Sequence, residues 1–175
     1  MATRTKMDET SPYRMPRSIA VPNLGQIVRP PPKGSRLWRA LDVLSNSNVV
    51  LYRLSGGRIG GHMSRAPVLL LHHVGRKTGT ERVTPVLFLA DGPRLVIIGS
   101  KGGAAADPAW VGNLMAHPLT TVEVGRKKFR VRARMASDEE RARYWPRCAE
   151  NYPSYDTYQE RTDRVIPMLV LEPVA

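Results

Sequence analysis

The chain has 175 residues, 42% of them hydrophobic, and 27 Lys+Arg against 15 Asp+Glu give a formal net charge of +12. That length and apolar content suit one domain with an ordinary core, and exclude a wholly disordered protein. The single cysteine, Cys148, excludes an intramolecular disulfide framework and any multi-cysteine metal centre, while no apolar run approaches the roughly 18 residues of a membrane-spanning helix.

Residues 1–35 contain six prolines and no sustained hydrophobic period, which predicts a basic, Pro-rich, disordered arm ahead of a domain over 36–175. Arg4, Lys6, Arg14 and Arg17 are followed by no apolar segment, so the expectation is no secretory signal and a cytoplasmic protein. Residues 1–65 hold 11 basic and 3 acidic side chains, most of the excess charge. From Ser35 to about Leu54, Leu37, Trp38, Leu41 and Leu44 recur at helical spacing beside Arg36, Arg39 and Arg53. This is one amphipathic helix, either packed on the barrel or a basic segment that touches a membrane surface or covers a pocket. Gly56, Gly57, Gly60 and Gly61 form a connection that lacks the strand and helix of a dinucleotide fingerprint.

Strand-like runs follow at Pro67–Val74, Val83–Leu89 and Arg94–Gly99, separated by Gly75–Thr80 and Asp91-Gly92-Pro93, and read as two hairpins in series. Asp107 is the expected N-cap of a helix running through about Ala116. Two strands flank Gly125. In the second, period-two alternation turns Phe129, Val131 and Ala133 inward and Arg130, Arg132 and Arg134 to water. Ser137 and Glu140 form a capping box for a helix to about Cys148 that contains Pro146. A short helix and a final strand, Ile166–Leu171, complete an α+β, mostly antiparallel barrel with flanking helices.

Three segments carry candidate chemistry. The loop from Gly75 to Arg82 sets Arg76, Lys77 and Arg82 among two glycines, where backbone N–H groups and cations together suit a phosphate; a solvated basic hairpin is the plainer reading. Ser100 and Lys101 stand at a strand end before a helix N-terminus, a place that favours an anion. Tyr152, Tyr155 and Tyr158, three apart, align on one helical face and suit a flat ligand, though a structural aromatic cluster fits the same spacing. His72 and His73 point to opposite faces of a strand and cannot chelate one ion, and no metal site is expected. A nucleophile elbow is also missing.

Together the segments Gly75-Arg-Lys-Thr-Gly79, Arg82-Val-Thr-Pro85, Ser100-Lys-Gly-Gly103, Pro108-Ala-Trp110 with Asn113-Leu114, Tyr144-Trp-Pro146, Tyr152-Pro-Ser-Tyr155 with Tyr158, and Thr162-Asp-Arg164 with Ile166-Pro167 resemble the deazaflavin-dependent nitroreductase family. These are actinobacterial split β-barrel proteins that use coenzyme F420, and the resemblance covers about residues 36–173. It implies a split β-barrel and an F420-dependent oxidoreductase. It implies that Arg76, Lys77, Thr78 and Arg82 hold the cofactor's phosphate and polyglutamate tail, that Pro85, Ser100, Lys101, Gly102, Trp110 and Asn113 lie along the cofactor, and that Leu87, Tyr152, Tyr155 and Tyr158 face the substrate. Tyr155 and Ser100 are the implied proton donor or oxyanion partner. The implied reaction is hydride transfer from reduced deazaflavin to a quinone, an enone or a nitroaromatic. Leu87 stands where the family's prototype has a tyrosine, which removes a polar handle and leaves nitroimidazole reduction outside what the resemblance carries over.

A menaquinone acceptor would give the first helix a use on an anionic membrane, at the inner face of the plasma membrane. The alternatives are a flavin mononucleotide (FMN) split-barrel oxidoreductase, since a basic phosphate loop serves either ring system, and a protein that binds F420 without turnover. A nucleic-acid-binding module is disfavoured, because the basic side chains are spread over strands, loops and arm rather than gathered on one recognition helix.

Overall fold

The computed structural model describes Pro12, Tyr13 and residues 49–174. Within them the expected first helix is present at 49–55 (α1), and Leu37, Trp38, Leu41, Leu44 and most of the Pro-rich arm lie outside the described residues. The other elements are β1 (His62–Met63), β2 (Ala66–Val74), β3 (Glu81–Asp91), β4 (Arg94–Ile98), a 3-10 turn (Lys101–Gly103), α2 (Ala109–Ala116), β5 (Leu119–Val124), β6 (Lys127–Met135), α3 (Asp138–Asn151), α4 (Ser154–Glu160) and β7 (Met168–Pro173). Among the described residues, no helix is long and apolar enough to cross a membrane.

Antiparallel pairing runs β2-β3-β4-β7-β6-β5 and closes on itself through β2–β5, giving a six-stranded barrel, with β1 added beside β2. Period-two alternation turns Leu69, Leu71, Phe88, Leu95, Ile97, Val131, Leu169 and Leu171 into the interior. Trp110, Val111 and Leu114 of α2 join that core from the end where β2 meets β3. At the opposite end Tyr13 stacks on Phe129, ring centroids 5.0 Å apart, and its hydroxyl donates to the Pro93 carbonyl at 3.1 Å. Tyr13 falls in the stretch expected to be a free arm, yet it is buried against the barrel. Outside the barrel, α3 and α4 cover β4 and β7 through Tyr144, Cys148, Ile98 and Val170. On another outer face, Val49 and Tyr52 of α1 cover Val68 and Leu70 of β2.

The barrel is split where β3 changes partner. Glu81 to Leu87 pair with β2, whereas only Phe88 to Asp91 pair with β4. Pro85, which has no N–H to give, falls in the stretch with a strand on one side only. Beyond Ile98 the chain leaves the sheet for the Ser100–Gly103 turn, so this seam stays open.

Three local expectations are corrected. Asp107 does not cap α2, whose N-cap is Pro108; its carboxylate pairs with Arg164 at 2.7 Å. Arg134 faces outward as its parity requires but is not simply solvated, since it bonds Glu140 at 2.6 Å and 2.7 Å and Glu172 at 3.0 Å. Those bonds hold Arg134 above its ordinary pKa and the Glu140 carboxyl down at about 2, the Arg134 hydrogen bond being the largest cause. The Ser137–Glu140 capping box forms as expected, but α3 runs on past Cys148 to Asn151 with Pro146 inside it.

Candidate functional site

The open seam leads into a cavity of about 250 Å³. Pro85, Val86 and Leu87 of β3 and Ile98 of β4 form its floor, and Ser100, Lys101 and Gly102 form one wall. Pro108 and Trp110 stand at the start of α2, and Met63 with Tyr152, Tyr155 and Tyr158 forms the remaining side. Nine of the residues expected at the site thus meet around one space, although they come from positions 85 to 158.

The tyrosines converge by a route other than a single helical face. Tyr152 is the C-cap of α3, and Tyr155 and Tyr158 lie on α4, which begins after Pro153. The Tyr152 and Tyr155 rings meet edge to face at 5.1 Å, and the Tyr152 and Tyr158 hydroxyls are 3.2 Å apart. Burial pushes the Tyr158 phenol up to about 12 and the Tyr155 phenol well above its ordinary value. Tyr155 therefore stays protonated across physiological pH, and its O–H bonds to no described residue. Trp145, behind Tyr155, is fixed by Asp156 at 2.8 Å and by the Arg141 guanidinium 4.5 Å above its ring.

The Ser100 wall is an unusual piece of backbone. Lys101, Gly102 and Gly103 have φ of 47°, 66° and 78°, and the first of these is costly for a side-chain-bearing residue, on the order of 1 kcal/mol. Gly103 must be glycine, because a Cβ there would strike the Tyr158 carbonyl. At Gly102 a Cβ would meet nothing within 4 Å, so the backbone is open on that side.

Arg76, Lys77, Thr78 and Arg82 do not line the cavity. Arg76, Lys77 and Thr78 lie exposed on the β2–β3 loop and Arg82 exposed at the start of β3, and none of the three cations pairs with a described carboxylate. Most of the amides expected to form a backbone cradle are already engaged. The amides of Thr78 and Gly79 are spent on the Gly75 carbonyl, that of Arg76 on Asn113 Oδ1 at 3.1 Å, and that of Thr80 on the Thr78 hydroxyl. What the loop offers an anion is side-chain charge. Asn113 likewise points away from the cavity. Because the Arg76 N–H fixes its oxygen, its Nδ2 donates to His73 Nδ1 at 2.9 Å, which leaves the proton on His73 Nε2 to donate to Thr84 Oγ1 at 3.0 Å. Burial first, then Arg82 and His72, hold the His73 pKa below its ordinary value, so the ring is neutral.

Three residues to which the sequence reading gave no site role shape these walls. The Arg76 guanidinium rests on Gly112, where any side chain would overlap it; a glycine inside a predicted helix was the available signal. His73, on the inward parity of β2, braces Asn113. Arg164 grips the turn beside Ser100, and although it stood in a quoted motif, nothing local revealed its partners.

Over residues 44–173 the chain matches the family model of the F420H(2)-dependent quinone reductases. With that match and a split antiparallel barrel around such a cavity, the chain belongs to the F420H(2)-dependent quinone reductase family. It is 42% identical over 125 residues to the F420H(2)-dependent quinone reductase Rv1261c of Mycobacterium tuberculosis, covering 69% of this chain and 84% of that protein. It is 39% identical over 117 residues to a candidate F420H(2)-dependent quinone reductase of the same organism, Rv3178, covering 66% and 98%. Among solved structures, an F420-H2 dependent reductase, FDR-A, superposes with a TM-score of 0.56 at 34% identity, covering 61% of this chain and 94% of that one.

Proposed function

We propose that the protein is an F420H(2)-dependent quinone reductase that holds the cofactor between the Ser100–Gly102 turn and Trp110. The cofactor's anionic tail lies along Arg76, Lys77 and Arg82, and the quinone lies against Leu87 and the three tyrosines. The observation that carries this reading is the cavity itself. It joins an aromatic wall, an apolar floor and a hydroxyl-bearing turn, has no carboxylate among the described residues that line it, and shares α2 with an exposed loop whose cations pair with no described carboxylate. Such a lining fits a flat, anionic, aromatic cofactor.

When bound, the reduced deazaflavin supplies a hydride, and the quinone takes up that hydride and a proton to become the hydroquinone. The protein's own part is positioning and charge control. Trp110 and the turn orient one partner, while Leu87, Met63 and the tyrosine rings exclude water from the other. Tyr155, held protonated, donates a hydrogen bond to the quinone oxygen as negative charge develops there. Ser100, beside solvent-exposed Lys101, passes a proton from water to that oxygen. In this role Tyr155→Phe lowers kcat by about 10- to 100-fold while F420 affinity stays near wild type. Wild-type kcat in a folded Tyr155→Phe protein would remove Tyr155 from the mechanism.

The finer reading includes peripheral contact with an anionic membrane. It is supported by Val50, Leu51, Leu54 and Ile59, which are exposed on and just after α1 beside Arg58. Leu54→Glu should then weaken binding to vesicles containing phosphatidylglycerol, and equal binding by both proteins would count against the contact.

A further inference from the structure

The turn at Ser100–Gly103 has a restraint that stands outside the cavity. Three successive residues have positive φ, and one of them, Lys101, carries a side chain. The turn's own hydrogen bonds are few: the Gly103 amide donates to the Ser100 carbonyl at 3.0 Å and the Ala104 amide to the Lys101 carbonyl at 3.2 Å. Left to themselves, such residues relax toward ordinary backbone.

Arg164, on the segment between α4 and β7, spans this turn from behind. Its Nε donates to the Ala104 carbonyl at 2.8 Å, after the turn, while one terminal nitrogen donates to the Ser100 and Gly99 carbonyls at 2.9 Å and 3.2 Å, before it. The other terminal nitrogen pairs with Asp107 at 2.7 Å. One planar cation therefore holds both ends of the turn together. Arg164 is itself held, since its carbonyl accepts from Gln159 Nε2 at 2.8 Å and Gln159 Oε1 accepts from the Ile166 amide at 3.0 Å. The Arg164 side chain is 15% exposed and does not line the cavity.

We propose that Arg164 is a positioning residue that keeps the Ser100–Gly103 turn in its strained shape, and thereby sets cofactor affinity and turnover without touching the cofactor. This rests on the reading that the Ser100–Gly102 wall holds F420. A lysine cannot replace it, because an ammonium on a flexible stem cannot place planar donors on both sides of a turn.

Amide hydrogen exchange at Gly103 and Ala104 tests the restraint with no cofactor present, and fluorescence titration with F420 tests its consequence, both on the full chain. In Arg164→Ala the two amides should exchange faster while those of the barrel strands stay protected. The F420 Kd should rise about tenfold or more, and millimolar guanidinium should restore affinity to this variant but not to Arg76→Gln. Arg164→Lys, the milder change, should show the same faster exchange with the wild-type melting temperature. Unchanged exchange at Gly103 and Ala104 in either folded variant would overturn the proposal. So would faster exchange with unchanged Kd and kcat/KM, because the turn's shape would then not govern binding. The cofactor-site reading fails separately, if Ser100→Ala and Lys101→Ala both leave the F420 Kd at the wild-type value.

Discussion

Gly112 separates two demands that usually coincide. Alanine is the better helix former by about 1 kcal/mol, so Gly112→Ala should keep or raise stability. The added methyl, however, occupies the place of the Arg76 guanidinium, and the cation must swing away from α2. A thermal melt and an F420 titration on the same sample should therefore move in opposite senses, with the melting temperature equal or higher and Kd raised about three- to tenfold. Equal affinity in the two proteins would mean that Arg76 does not act from this position. His73 makes a second residue-scale prediction. Its folded pKa lies below the ordinary 6.5, so as pH falls through 6.5 the unfolded chain gains a proton that the native state refuses. Stability is therefore intact above that range and lost as pH falls toward the folded pKa, by no more than about 1.4 kcal/mol per pH unit for one proton. His62, also depressed by burial, acts with the same sign. Urea unfolding at pH 7.5 and pH 5.5 should show a smaller difference in His73→Gln than in wild type, and equal differences would clear His73. Some of this was legible in residue types and some was not. The cations of the β2–β3 loop and the three tyrosines were readable as candidates, whereas the His73–Asn113–Arg76 chain joins positions about 40 apart through one buried amide, and no local pattern encodes such a contact.

At the scale of elements, α1 fastens the barrel's shortest seam. β2 and β5 share only the pairs Leu70–Glu123 and Leu71–Val122. Tyr52, almost wholly buried, donates to the Val68 carbonyl at 2.9 Å and accepts from the Gly125 amide at 2.8 Å, so one hydroxyl bridges the two strands. Burial, opposed by the Gly125 hydrogen bond and aided by the Glu123 charge, pushes that phenol up to about 12, which keeps it protonated. Arg53 adds hydrogen bonds of 2.6 Å and 3.0 Å to Glu123, whose carboxyl also meets His72 at 2.6 Å. Tyr52→Phe should cost about 1–3 kcal/mol, because it strands a buried N–H and a carbonyl, and a urea midpoint unchanged from wild type would contradict the bridging role. The alternation in β2, β3 and β6 and the capping box of α3 made the elements readable within a few residues. Their seam was not readable, since the phenol that closes it pairs with residues 16 and 73 positions away.

For the whole molecule, the seam left open beyond the Phe88–Ile97 pair of β3 and β4 gives the closed barrel a cavity at its side. Pro85 lies in the stretch of β3 that has a partner on one side only, where a proline inside a strand is tolerated best. The fold class followed from mostly antiparallel strands with interspersed helices, and the motif order pointed to the family that the match over 44–173 establishes. What remained illegible was where the charges sit relative to the cavity. The cationic loop stands outside it against α2, with most of its amides already engaged; in the proposed reading the tail of the bound anion runs along the surface while the ring system goes inside. In that proposed reading this cavity transfers reducing equivalents from F420 to a quinone. The most direct measurement is anaerobic oxidation of F420H(2) on adding menadione, followed by the return of oxidised-cofactor absorbance. The expected result is protein-dependent turnover that saturates in both reactants and forms one menadiol per F420 oxidised. A rate no higher than without protein, or turnover with reduced FMN alone, would contradict the assignment.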